Sequence, residues 1–250
     1  MGAQEVTPAL NGDMRQRVGV DSAARAWQPS PSGTVWRKRL HRVGPAESGQ
    51  VTSIVRYDRG ATFPVHDHPE GEEILVLQGI FSDEHGDWPA GTYLLNPEGF
   101  CHAPFSRQGC VLFVELRQYA GTGRRHVVLD TNALPWEPTS QGGIEAKTLY
   151  ADESLADTTR LERWIPGAVP GELHHATGAE MLVLDGSFQD EHGAYPKGSW
   201  LRLPAGAHHR PASAGGCVLY AKRGALASLR SQPGGTLDGR VDNRQRQSED

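Results

Sequence analysis

Two stretches decide the fold: FSDEHGDWPAGTYLLNPEG, from Phe81 to Gly99, and FQDEHGAYPKGSWLRLPAG, from Phe188 to Gly206. The second repeats the first at an offset of 107 residues, since 188 − 81 = 107. The same offset pairs Gly60 with Gly167, Gly79 with Gly186 and Cys110 with Cys217. Upstream a small gap changes it to 109, and Trp27 then meets Trp136, Pro29 meets Pro138 and Leu40 meets Leu149. The duplicated unit runs from about Asp21 to Gln118 and again from Asp130 to Arg223. A period this long means tandem domains and not a solenoid.

Within each unit the punctuation is that of a β-protein. VTSIVRY, EEILVLQG, GTYLLN and CVLFVEL are short β-rich runs, set off by Gly, Pro and Asp/Asn clusters. TTRLERW, AEMLVLDG, GSWLRL and CVLYAKR stand at the same stations of the second unit. No long stretch of 3.6-residue periodicity intervenes, and the 30 Gly and 17 Pro suit turns better than helices. The expectation is an all-β chain of two antiparallel jelly-roll barrels. Its divisions are a flexible tail over 1–20, barrels over 21–120 and 121–229, and a disordered tail over 230–250. The repeated DEHG, at Asp83–Gly86 and Asp190–Gly193, reads as a hairpin turn, which leaves His85 and His192 outside any site.

Composition excludes several classes of function. Lys plus Arg number 25 against 30 Asp plus Glu, a net charge of −5 with no basic run, so a nucleic-acid partner has no support. No apolar run approaches the ~20 residues that span a bilayer, and the N-terminus lacks a signal-peptide core. A cytoplasmic protein with no membrane partner is expected. Cys101, Cys110 and Cys217 form no CxxC pair and are read as small buried hydrophobes.

The chemistry-bearing residues lie in the first unit, in Gly60-ATFPV-His66-Asp-His68-PEG-Glu72-EILVLQ-Gly79. Alternation along a strand points His66 and His68 the same way. Glu72 follows a Pro-Glu-Gly turn and can return to face them. In Gly91-TYLLN-Pro97-Glu-Gly99-Phe-Cys-His102, the Pro and Gly make a sharp connection that carries His102 onto a neighbouring strand. Three neutral imidazoles and one carboxylate suit a borderline divalent ion such as Zn, Fe, Mn, Ni or Co. Four-coordinate zinc would be closed and structural, whereas a six-coordinate ion would keep two positions open. Glu73 has the wrong parity for this site and is read as outward-facing or as supporting the ligands from outside.

These spacings resemble the two cupin motifs: Gly60…His66-x-His68…Glu72…Gly79 for the first and Gly91…Pro97-x-Gly99…His102 for the second. Ser106 replaces the usual final Asn. HPEGEEILVLQGIFSDEHGDWPAGTYLLNPEGFCHAPFS is similar to the cupin domain of ChrR-type anti-sigma factors. That group also includes acetylacetone-cleaving and dihydroxyacetophenone dioxygenases. The resemblance covers about residues 50–118, with a weaker match in the second unit, and implies a bicupin holding one divalent ion, Fe(II) or Zn(II), at His66, His68, Glu72 and His102. It further implies a small-molecule substrate or ligand, and homodimers are a family expectation.

In the second unit Leu173 replaces His66 and Ala179 replaces Glu72, while His175 and His209 stand at His68 and His102. This is a vestigial site. His174 and His208 sit one residue off the ligand stations and so point to the opposite face. Glu172 is a possible substitute carboxylate, although nothing in the spacing recommends it.

Three functions follow from the resemblance. One is a non-haem dioxygenase acting on a small diketone or hydroxyketone. Another is a sensor or small-ligand binder, without the anti-sigma role, because only about 20 residues precede the first unit. The third is a metal-stabilised barrel pair with no chemistry.

Overall fold

A computed structural model describes residues 8–118, 123–224, 226 and 229–232. No α-helix occurs among them. Two large antiparallel sheets carry the architecture. In the first, strand Glu72–Asp83 lies between Cys110–Leu116 and Thr92–Asn96, and Cys110–Leu116 leads on to Gln50–Tyr57 and Val35–Val43. In the second, Ala179–Asp190 lies between Cys217–Arg223 and Ser199–Leu203, followed by Thr158–Trp164 and Ile144–Ala151. The order is the same in each, as the repeat requires. Gly79 and Gly186 also play one part. At φ 73° and 68°, a Cβ on either would stand 2.1 or 2.2 Å from the carbonyl of Gly109 or Gly216, so only glycine lets the strands approach there.

The edge strands are exchanged between the barrels. Val18–Asp21 pairs with Ser199–Arg202 of the second sheet, and Val127–Asp130 pairs with Thr92–Leu95 of the first. The two pairings are equivalent by the repeat offsets. A division of the chain at residue 120 therefore does not separate two self-contained barrels, because each lends its first strand to the other.

Alternation along the strands then builds three cores. Ile74, Val76, Leu94, Leu112 and Val114 face the interior of the first barrel. Met181, Val183, Leu201, Leu203 and Trp164 fill the second. The outward faces of both sheets, with Val18, Leu75, Tyr93, Phe113, Leu182, Trp200 and Tyr220, form one apolar seam between the barrels. Each large side chain so buried contributes about 1.5–3 kcal/mol.

Three expectations change here. Residues 8–20 are no loose tail: Asn11 is buried, its amide donates to the Leu40 carbonyl at 2.8 Å, and Leu10 bridges to Arg42. At the other end, the Gln232 amide donates to the Gly12 carbonyl and the Arg230 amide to Gln50 Oε1. Residues 1–7 and 233–250 of the two expected tails lie outside the described residues. Cys110 and Cys217 are buried as read, but Cys101 is exposed, on the outer side of a two-residue strand opposite Asp67. Glu73 does face out of its barrel, yet the seam covers it, leaving it 1% exposed.

Candidate metal centre

The short strand Cys101–His102 pairs antiparallel with His66–Asp67 and sets His102 directly opposite His66. After His68, Glu70 and Gly71 both adopt left-handed backbone, at φ 61° and 74°, and the Gly71 amide donates to the His68 carbonyl. That tight turn starts strand Glu72–Asp83 beside His68. Gly99, at φ 84°, turns the Pro97–Phe100 connection that delivers His102.

Sequence spacing thus becomes convergence. One nitrogen from each of His66, His68 and His102 lies within 4.8 Å of the others. The Nε2 atoms of His68 and His102 are 2.9 Å apart. Two imidazoles bound at ~2.1 Å to one ion at right angles would place their nitrogens ~3.0 Å apart, so the pair fits a shared cation. Glu72 Oε2 lies 3.4 Å from His68 Nε2 and 3.7 Å from His102 Nε2. His68, Glu72 and His102 are buried, while His66 is half-buried at the edge.

Hydrogen bonds to the far ring nitrogens fix which nitrogen faces the centre. His66 Nδ1 donates to the Pro64 carbonyl at 2.9 Å, and His102 Nδ1 donates to Asp83 Oδ2 at 3.2 Å. Both rings then present an Nε2 lone pair inward. Asn96 donates to Glu72 Oε2 at 2.9 Å and holds that carboxylate in place. Burial lowers the His68 pKa against the opposing pull of Glu72. Burial also works to lower His102, but the Asp83 hydrogen bond and the Glu72 charge together leave it raised.

Asp83 was legible only as a turn residue. It does make the turn, since Oδ1 accepts from the amides of His85 and Gly86. Its other oxygen orients His102. The signal was present: Asp190 repeats Asp83, and its Oδ2 accepts from His209 Nδ1 at 2.9 Å. Asn96 and the Pro64 carbonyl carried no such signal.

The histidines line a cavity of about 670 Å³ inside the first barrel. Its walls are mostly apolar, with Val35, Val55, Ile74, Phe81 and Leu112, and it also contains Tyr57 and Arg37. Burial, and then Glu72 and Cys110, raise the Tyr57 hydroxyl far above its ordinary pKa, so it stays a neutral donor.

The second barrel is built differently. His175 and His209 do meet, Nε2 to Nε2 at 3.1 Å, but Leu173 and Ala179 stand where the other donors would be. The interior is occupied. Trp164 and Met181 replace Tyr57 and Ile74, and Arg223 pairs with the buried Glu162, which stands at the Val55 position. Burial, followed by the Arg223 charge, pushes the His175 pKa down to about 3. A field that repels a proton repels a metal cation too. His174 and His208 stack on each other outside, with ring centroids 4.4 Å apart, and Glu172 pairs with Arg210 at 3.5 Å.

Two strand-exchanged jelly rolls, one with a histidine triad set in its interior wall, define a tandem cupin. The chain belongs to the ChrR cupin-like domain family, which matches residues 15–120 and again 124–227. No curated protein matches the sequence. Among solved structures, a candidate dioxygenase from Nostoc punctiforme superposes with a TM-score of 0.69 at 15% identity, covering 87% of this chain and 86% of that one. Ylba from E. coli gives 0.66 at 14% identity over 88% and 94% of the two chains. A deletion mutant of Bacillus subtilis oxalate decarboxylase OxdC gives 0.55 at 14% identity over 83% and 76%. These likenesses establish the fold. No helix among the described residues is long and apolar enough to cross a membrane.

Proposed function

We propose that the first barrel holds one divalent ion, Fe(II) or Zn(II), through His66, His68, Glu72 and His102, and acts as a non-haem dioxygenase on a small diketone or hydroxyketone. The observation that carries this reading is the convergence of three imidazoles, two of them held in one tautomer by hydrogen bonds, on the wall of an apolar cavity large enough for such a substrate. A cation bound there would supply Lewis acidity toward a ketone or enolate oxygen. The protein's part is positional. Asp83 and the Pro64 carbonyl keep two rings in register, Asn96 aims Glu72, and the apolar walls exclude water. Tyr57, held neutral, can donate a hydrogen bond to a second oxygen of the ligand but cannot serve as a base. The fold likeness to a candidate dioxygenase supports the reading without naming a substrate.

Glu72 favours a second reading. With its carboxylate 3.4 Å from His68 Nε2, a four-residue ligand set leaves fewer open positions and suits a sensor or small-ligand binder. One experiment separates the two: purification without oxygen, elemental analysis, then an oxygen electrode with a panel of β-diketones and hydroxyketones. Iron with substrate-dependent oxygen uptake supports the enzyme. Firmly held zinc with binding but no uptake supports the binder, and a chain that retains no metal removes both.

A further inference from the structure

A second, smaller recess of about 40 Å³ opens off the barrel interior, and none of the metal-site histidines lines it. It shares Arg37, Glu47, Val55, Val114 and Leu116 with the main cavity, so the two spaces adjoin. Arg39 and Ser53 complete its polar lining. The Ser53 hydroxyl and Arg39 Nε are buried there and have no hydrogen-bond partner. Donors enclosed in this way call for an acceptor. The volume suits one carboxylate group or a water or so.

Charge points the same way. Glu47 bridges the two arginines, 2.6 Å from Arg37 Nη1 and 3.0 Å from Arg39 Nη2, which leaves the cluster with one net positive charge. The Glu47 side chain is 47% exposed, whereas those of Arg37 and Arg39 are 17% and 11% exposed. Glu47 can therefore swing into water and yield its place to a ligand carboxylate, while the guanidinium groups stay. In the second barrel, where the cavity is filled, Ala146 and Thr148 stand at the positions of Arg37 and Arg39. The arginine pair accompanies the open cavity and is lost with it.

We infer that Arg37, Arg39 and Ser53 form a carboxylate-recognition recess, so that the ligand of this cavity is a small amphipathic acid whose other end faces the histidines. Only the identity of that other end rests on the ketone reading proposed above. The orientation suits the lining: an apolar body along Val55 and Leu112 joins an anionic end to an oxygen-bearing one.

The test uses calorimetric titration of the full chain in two states. Metal-free protein is titrated with hexanoate and with 1-hexanol. Hexanoate should bind at least tenfold more tightly. Arg37→Met should abolish that preference while leaving 1-hexanol unchanged, and Glu47→Gln should strengthen hexanoate severalfold. Equal binding of the two probes, or a preference that survives Arg37→Met, overturns the recess. Zinc-loaded protein is then titrated with 4,6-dioxoheptanoate and its uncharged counterpart 2,4-heptanedione. Binding of both with equal affinity also overturns the recess but leaves the ketone reading standing. A hexanoate preference with neither diketone bound supports the recess and sinks that reading.

Discussion

Lys222 and Glu115 occupy the same position in the two repeats, 107 residues apart, and face each other across the seam with Nζ and Oε2 separated by 3.1 Å. Lys222 also meets Glu73 Oε1 at 2.9 Å, and the Tyr220 hydroxyl donates to Glu73 at 2.7 Å. Glu180, the repeat partner of Glu73, lies in the same buried cluster, and burial together with Glu115 raises its pKa. Two identical barrels would place the same residue on both sides of this seam. Duplication within one chain lets one copy become lysine, so that opposite charges meet.

The seam should therefore be asymmetric in its response to mutation. Lys222→Met leaves Glu73 and Glu115 buried without their cation, and is expected to cost about 3–5 kcal/mol in urea unfolding. Adding Glu73→Gln and Glu115→Gln to that variant should recover a large part of the loss. A stability within 1 kcal/mol of the parent for Lys222→Met alone would show that the network contributes little.

Metal affinity should follow the hydrogen bonds around the triad. His102→Ala is expected to lower metal content at least tenfold, and His209→Ala to leave it nearly unchanged. Asp83→Asn keeps every donor but loosens the His102 ring, with an expected loss of roughly 10–100-fold in affinity. Asp190→Asn should have no such effect, although its geometry is the same. Elemental analysis and chelator competition read all four variants. Equal losses from the two histidine variants would refute a site confined to the first barrel.

The convergence of the three histidines was legible in the sequence and their surroundings were not, and the reason is physical. His66, His68 and His102 are set by local spacing: two-residue alternation and two tight turns, which act over a few residues wherever they occur. The strand exchange is not local. Val18-Gly19-Val20 and Val127-Val128-Leu129 are short alternating runs that could pair with either barrel's free edge, and only the shared apolar seam decides. Glu73 shows the limit of parity, which gave the side of the sheet but could not foresee a second sheet covering it. Arg37 and Arg39 carry no signal in the sequence beyond charge on a strand. Their role depends on a cavity drawn from strands far apart in sequence.

Acid should weaken the metal-free fold in a definite window. His41 and His175 are both pushed down to about 3, His41 by burial and then Arg202, His175 by burial and then Arg223. Below about 6.5 the unfolded chain takes up protons that the folded chain refuses. Stability is therefore full above 6.5 and falls as the pH drops toward 3, by on the order of 4 kcal/mol for each group. Asp190 adds a later loss. Burial works to raise it, but His209, the His192 amide and Arg17 hold it at about 2, so its contribution disappears between 3.8 and 2. Urea midpoints of metal-free protein at pH 8, 6 and 5 should decline steadily, and His175→Leu should flatten the decline. Parallel curves for parent and variant would remove His175 from this account.

A graft tests whether the filled interior of the second barrel excludes a metal. If the missing ligands alone were responsible, Leu173→His with Ala179→Glu would restore binding beside His175 and His209. Arg223 stands in the way: its charge already depresses His175, and with Glu162 and Trp164 it fills the interior. Removing only Arg223 would leave the buried Glu162 with Arg160, at 2.8 Å, as its remaining cation and still filling the interior, so Arg223 and Glu162 are replaced together. The two-residue graft is expected to bind no additional metal. Adding Glu162→Val and Arg223→Leu, the residues found at 55 and 116 in the first barrel, should let the chain take up a second equivalent of zinc, read by elemental analysis after gel filtration. Should the two-residue graft already bind that equivalent, the ion pair is not what keeps the metal out.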